Sequence, residues 1–219
     1  MRLISALIAL PALFVPLLSL SAADRRNWND DSDWQRIDDL RLGYWTMPLT
    51  SSIDTQANNV QGYHKDGQLQ SGSRVSLQWA LPVSDLSSDG GGVLALEVSS
   101  TSYHQDQTLV DPEITLTAYA LTLHPGFAWA LTDSVHLEVD PFLGYGASSV
   151  SSGSGQGTFW EYGMRLATYW TIARHFQIGI DLRYLGTYAR QNFTYGASSE
   201  DVVIKTKGAS IGAQIGYRF

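Results

Sequence analysis

The chain has 219 residues, of which 44% are hydrophobic, with a formal net charge of −7 and no cysteine. The acidic balance excludes a nucleic-acid binder, because no basic stripe is present to neutralise phosphates. The lack of thiols excludes a disulfide framework and a lipid-anchored cysteine.

Met1-Arg2 is a short basic start, residues 3–18 are almost wholly apolar, and Ser21-Ala22-Ala23 places small residues at a cleavage site. This reads as a secretory signal peptide over residues 1–23, set aside from the fold. Pro11 and Pro16 interrupt the apolar run, which falls short of the roughly 20 residues of a membrane helix. Residues 24–39 read as a periplasmic leader. Its acidic stretch, Asp30, Asp31 and Asp33, lacks the glycine and terminal glutamate of a calcium loop.

From residue 40 to 219 the apolar residues alternate instead of forming blocks, the pattern of strands half facing an apolar medium. Eight strands are predicted. The first, 40–47, carries Leu40, Leu42 and Tyr44 on one face. The second, 74–83, sets Val75, Leu77, Trp79, Leu81 and Val83 against Arg74, Ser76, Gln78 and Ala80. The third, 93–103, sets Leu94, Leu96 and Val98 against Ala95, Glu97 and Ser99. The fourth, 113–131, pairs an apolar face (Tyr119, Leu121, Leu123, Phe127, Trp129) with a small one that includes His124. In the fifth, 135–147, Leu137, Val139 and Leu143 alternate with His136, Glu138 and Asp140. The sixth, 158–172, opposes Trp160, Tyr162 and Leu166 to Glu161 and Arg165. The seventh, 176–189, opposes Ile178, Ile180 and Leu182 to Asp181 and Arg183. The eighth is the C-terminal strand, in which Ile211, Ile215, Tyr217 and Phe219 alternate with Gly212, Gln214, Gly216 and Arg218.

The connections at 132–134 and 173–175 are short, and those at 49–72, 104–112, 148–157 and 191–201 are long and polar. This is the asymmetry of a membrane barrel with both termini periplasmic. The connection 84–92 departs from it by its length.

Energetics decides which face meets lipid. A basic side chain at the bilayer midplane costs about 2–4 kcal/mol, so the charged faces point inward. Trp79, Trp129, Trp160, Trp170, Phe176 and Tyr145 lie toward strand ends, where amphipathic rings favour the lipid–water boundary. A soluble eight-stranded barrel would need the opposite orientation, with charges outside and aromatics within.

The predicted inward set is Arg41, Arg74, Glu97, His124, His136, Glu138, Asp140, Glu161, Arg165, Asp181 and Arg183. An eight-stranded barrel is just wide enough for side chains to fill, and buried charges must pair. The set therefore reads as a charge-paired polar lumen that plugs the barrel. Ser102, His104, Asp106 and His64 are loop or strand-end residues with acyl-transfer chemistry, but they lack the His-x-Ser order of a lipid A deacylase. No metal, phosphate-binding or dinucleotide motif occurs, so no cofactor is expected.

The last strand, with Phe219 at its tip and apolar Ile215 and Tyr217 before it, resembles the signal read by the outer-membrane assembly machinery. Residues 40–219 as a whole resemble the porin-like superfamily of small outer-membrane β-barrels, of the OmpA/OmpX type. The resemblance implies an all-β, eight-stranded antiparallel transmembrane barrel, up-and-down in topology, in a bacterial outer membrane. It implies outer-membrane lipid, lipopolysaccharide and the assembly machinery as partners; an extracellular or envelope protein is a further candidate, left unidentified by the sequence. It implies no single activity. The expected function is non-enzymatic: a structural or surface-interacting barrel acting through its long loops. A narrow small-solute channel and a lipid A-modifying enzyme are the other readings the fold admits.

Overall fold

A strand puts successive side chains on opposite faces, so a period-two sequence yields a sheet with one charged and one apolar surface. The computed structural model describes residues 38–48, 50–57, 60–69, 71–83, 90–105, 114–132, 134–151, 156–173, 175–195 and 198–219. The expected signal peptide and nearly all of the expected leader lie outside the described residues. The strands are β1 (Asp39–Thr46), β2 (Thr50–Ala57), β3 (Val60–Gln68), β4 (Ser71–Pro82), β5 (Gly91–Gln105), β6 (Ile114–Thr132), β7 (Val135–Val150), β8 (Gln156–Ala173), β9 (Phe176–Tyr195) and β10 (Ser198–Arg218).

Eight of these form a ring in the order β1-β4-β5-β6-β7-β8-β9-β10, and β10 returns to pair with β1. All the pairings are antiparallel. The ring is the eight-stranded transmembrane barrel expected from the sequence. Its terminal rim carries Asp38 and Phe219, where the Phe219 amide donates to the Asp38 carbonyl at 3.1 Å. Asp39, expected in the leader, is the first residue of β1 and pairs with Arg218.

The segment 49–72, expected as a loop, instead carries β2 and β3. β2 extends β1 along β10: Trp45 pairs with Gly212 and Ser51 with Thr206, so the register is unbroken. β3 pairs with β2 and leads back into β4. The first hairpin is thus one long ribbon, interrupted near Pro48, which has no amide hydrogen for the ladder. The Met47 amide still reaches the Gly72 carbonyl at 2.9 Å. Facing the break, Gly208 has φ +151°, and a Cβ there would lie 3.0 Å from Pro48 Cβ. The expected loop 191–201 is likewise mostly strand, because β9 runs to Tyr195 and β10 starts at Ser198. β7 and β8 similarly take residues from both ends of the expected loop 148–157. β3, β2, β10 and β9 are hydrogen-bonded neighbours, a four-stranded sheet that continues the wall at the distal end. Polar alternation hid β2 and β3: outside an apolar medium a strand needs no apolar face.

The outward face of the ring is an apolar belt. Leu143, Tyr162, Ile180 and Ile215 are each at least half exposed. From Tyr217 to Lys207, β10 climbs roughly 25 Å along the barrel axis, at about 3.3 Å per residue and the usual strand tilt. That height matches the hydrocarbon band of an outer-membrane barrel. Trp79 has the outward parity of Val75 and Leu77 and pairs with Leu40 at the terminal rim, but it is buried, and its indole N–H donates to Asp38 Oδ1 at 3.3 Å.

Ile180 pairs with Ala213 halfway up the belt. Ile180→Arg is expected to cost about 2–4 kcal/mol of stability in lipid vesicles, read by denaturant unfolding. An unchanged stability would place this face outside hydrocarbon.

A charged layer across the barrel lumen as candidate functional site

Inward positions on every ring strand carry polar or charged groups in the half of the barrel nearer the terminal rim. The structure buries all eleven residues of the sequence-derived inward set, none more than 4% exposed. Their pairing follows the ring geometry. β1 and β7 stand four strands apart in a ring of eight, as do β4 and β8, and β5 and β9. Each of these pairs lies across the diameter, and each is joined by an arginine–carboxylate contact.

Arg41 of β1 forks onto Glu138 of β7, at 2.8 and 2.6 Å. Arg74 of β4 reaches Glu161 of β8 at 2.7 Å. Arg183 of β9 reaches Glu97 of β5 at 3.0 Å. The planar guanidinium suits these struts, since its fork of donors matches a carboxylate bidentately.

Shorter links join the struts. Arg165 donates to Glu138 at 2.7 Å and to Asp140 at 2.8 Å. Arg74 also donates to Glu97 at 2.6 Å, and Arg183 to Asp181 at 3.0 Å. Glu161, forked by Arg74, also accepts a hydrogen bond from the Thr122 hydroxyl. His124 sits between two acids, Nδ1 2.8 Å from Asp140 and Nε2 3.2 Å from Glu97. His136 Nε2 lies 3.3 Å from Glu138 and its ring stacks on Tyr169.

Several members of the network fall outside the inward set read from the sequence. Gln78 accepts from Arg165 at 3.0 Å. Tyr169 lies under the Arg41 guanidinium, 4.1 Å from the ring centre, and donates to Gln214 at 2.9 Å. Gln214 donates onward to Asp181 at 2.8 Å. Asp39 joins Arg41 to Arg218, at 3.0 Å each. All share the inward parity of the charged residues, which was the available signal. Tyr169 and Trp45 were hidden because an aromatic on a membrane strand is read as facing lipid.

Above the charges the lumen turns apolar. Trp45 and Phe142 mark the border. The Arg183 guanidinium lies 4.2 Å from the Trp45 ring centre, and the His124 ring lies tilted against Phe142, 5.3 Å between centres. Gly43 and Gly212 make room for the indole, because a Cβ on either would collide with it. Beyond lie Leu116, Phe159, Leu185, Val150 and Ile204, buried in one apolar cluster with Tyr103. The Tyr103 hydroxyl is 3.1 Å from Thr206 Oγ1. This second layer was not anticipated, since apolar residues were assigned to lipid.

The remaining sequence candidates are dispersed. His104 of β5 has Nδ1 3.2 Å from Thr115 Oγ1, His64 of β3 bonds to Asp54, and Asp106 lies outside the described residues. Among the described residues no group of three or more His, Asp or Glu side chains is arranged to hold a metal ion. Ile215 and Tyr217 face outward, and Phe219 packs edge-on against Tyr217 at 5.3 Å.

No family model matches the chain, and no curated protein matches it. Solved structures do. The outer membrane protein OprG from Pseudomonas aeruginosa is 14% identical, with 86% of this chain and 99% of that chain covered, at a TM-score of 0.61. Neisserial surface protein A is 13% identical over 82% and 97% of the two chains, at a TM-score of 0.42. The attachment invasion locus protein Ail of Yersinia pestis is 14% identical over 83% and 99%, at 0.38. The likeness to OprG is one of fold: this chain has the architecture of a small outer-membrane β-barrel.

Removing one end of a buried strut strands the other charge. Arg74→Ala, which leaves Glu97 and Glu161 both short of a partner, is expected to destabilise the barrel by about 3–5 kcal/mol. Arg41→Met with Glu138→Leu removes both charges of one strut, but also deprives Asp39 and Arg165 of a partner, and should cost less than the sum of its single variants. Denaturant unfolding in detergent or vesicles checks both.

Proposed function

We propose that this protein is a non-enzymatic outer-membrane barrel with a closed lumen, which acts at the cell surface through the sheet that extends its distal wall. Both termini then lie in the periplasm, and the hairpins β2–β3 and β9–β10 face outward from the cell.

One observation carries the reading. The lumen is crossed by three diametric struts and backed by an apolar layer, with buried side chains in both. Water and ions meet a barrier of buried, ion-paired side chains rather than an open path. A conducting barrel needs mobile or hydrated charges along its bore, whereas these are held in forks and links on all eight ring strands. The distal sheet supports the other half of the reading. From Lys207 to Ser198, β10 runs roughly 20 Å further along the axis, past the apolar belt. Strands that long are superfluous for crossing a bilayer and supply a rigid platform outside it.

In planar bilayers the wild-type protein is expected to show no stable open level. A reproducible open state would favour the narrow small-solute channel instead. An altered lipid A mass spectrum in cells carrying the gene would favour the lipid A-modifying enzyme.

Orientation has its own test, helped by the absence of native cysteine. Asp66 on β3 is 79% exposed. Asp66→Cys should react with a membrane-impermeant maleimide on intact cells. Labelling only after the outer membrane is breached would reverse the orientation.

A further inference from the structure

Outside the bore, ionisable side chains meet on the outer face of the distal sheet. Asp54 of β2 stands at the centre of one group. Its Cα partners are Val203 of β10 on one side and His64 of β3 on the other. Lys205 and Asp66 flank Ser52 in the next row toward the belt. Lys205 Nζ is 2.9 Å from Asp54 Oδ2, and His64 Nδ1 bonds to Asp54 Oδ1. The other ring nitrogen, Nε2, lies 3.5 Å from Asp66 Oδ2. Higher up, Asp201 of β10 accepts from Arg190 and Asn192 of β9. Below, Lys207 lies over the Tyr184 ring. Lys65 holds the opposite parity on β3.

The group sits where the sheet is held least. Among the described residues β3 pairs with β2 alone. The register steps between Thr55 and Gln56, with Gly62 as the extra residue, so the ladder is broken one pair beyond Asp54↔His64. A neutral imidazole has one N–H and serves one of its two carboxylates, whereas the imidazolium has two and serves both. With His64 charged, two cations (His64 and Lys205) meet two anions (Asp54 and Asp66). With His64 neutral the group carries an excess negative charge. The Asp54 hydrogen bond lifts the His64 imidazole above its ordinary value, and hydrogen bonds from His64 and Lys205 hold the Asp54 carboxyl below its usual range. The imidazole contribution is therefore complete in mild acid and is lost as pH rises through the raised value. The carboxyl contribution is complete above the usual carboxylate range and is lost only as pH falls through the depressed value.

We propose that Asp54, His64, Asp66 and Lys205 form a proton-operated latch, which holds β3 against β2 in mild acid and loosens it in alkali. The strand it controls is the last in the order of the distal sheet, so the edge of that sheet responds to the pH of the medium it faces. The latch works on either side of the membrane and stands apart from the orientation given under the proposed function.

The test is hydrogen exchange read by mass spectrometry on the full barrel in phosphatidylcholine nanodiscs, at about pH 5.5 and about pH 9, either side of the imidazole range. Rates are converted to protection factors, which removes the intrinsic pH dependence of exchange. Contacts between exposed charges are weak, so residues 60–66 are expected to lose about two- to five-fold in protection at the higher pH. Residues 211–217, in the ring, should keep theirs. His64→Gln should show the low protection at both pH values, and His64→Lys, a cation at both, should show no loss. Equal wild-type protection at the two pH values overturns the latch, as does a pH response that survives in His64→Gln or in His64→Lys. A loss that extends to 211–217 also overturns it, because the whole barrel then responds rather than the hairpin.

Discussion

The ladder between β1 and β10 is the constraint on which everything else rests. In hydrocarbon an unpaired backbone N–H or C=O costs several kcal/mol, so a sheet survives there only when its last strand finds its first. Seven paired positions, from Asp39↔Arg218 to Trp45↔Gly212, make that join. Once it exists, the wall has an inside and an outside, and the period of two assigns every side chain to one or the other. The charges then have nowhere to go but the bore. Their number, and the narrowness of an eight-stranded ring, oblige them to pair across it.

This explains why the two halves of the lumen differ. Near the terminal rim the bore is filled by arginines and acids whose mutual contacts replace water. Toward the distal end it is filled mainly by apolar side chains, with Tyr103, Thr187 and Thr206, and Gln191 and Ser148, hydrogen-bonded among them. Both are ways of closing a narrow tube, and Trp45, flat over Gly43 and Gly212 with a guanidinium on its other face, is the joint between them. The apolar belt outside and the apolar cluster inside are chemically alike, and only strand parity separates them.

That parity was the legible part of the sequence. Alternation in 135–147 puts Glu138 and Asp140 on the opposite face from Leu137 and Val139, and the cost of a charge in lipid picks the face. The partners were not legible. Which arginine meets which acid depends on ring order and stagger, and neither is written in a two-residue period. Arg41 and Glu138 become neighbours only through closure of the ring. The distal strands were hidden for a different reason. β2, TSSIDTQA, has polar residues on both faces, as a strand outside the membrane can. The burial of Trp79 was not legible, because its partner Asp38 lies outside the alternating strand pattern.

The diametric struts also bear on how the barrel is made. Arg41 and Glu138 are 97 residues apart, Arg74 and Glu161 are 87, and Arg183 and Glu97 are 86. No single hairpin contains both ends of a strut. A half-formed sheet would carry its arginines on one side and much of their neutralising charge on strands not yet in place. Such an intermediate cannot enter a dry environment without leaving ions unsatisfied. The sheet must therefore stay wet on its charged face until the ring is nearly complete, and the lumen dries and neutralises in the same event. Assembly is cooperative for an electrostatic reason: the spokes come into tension only when the rim closes.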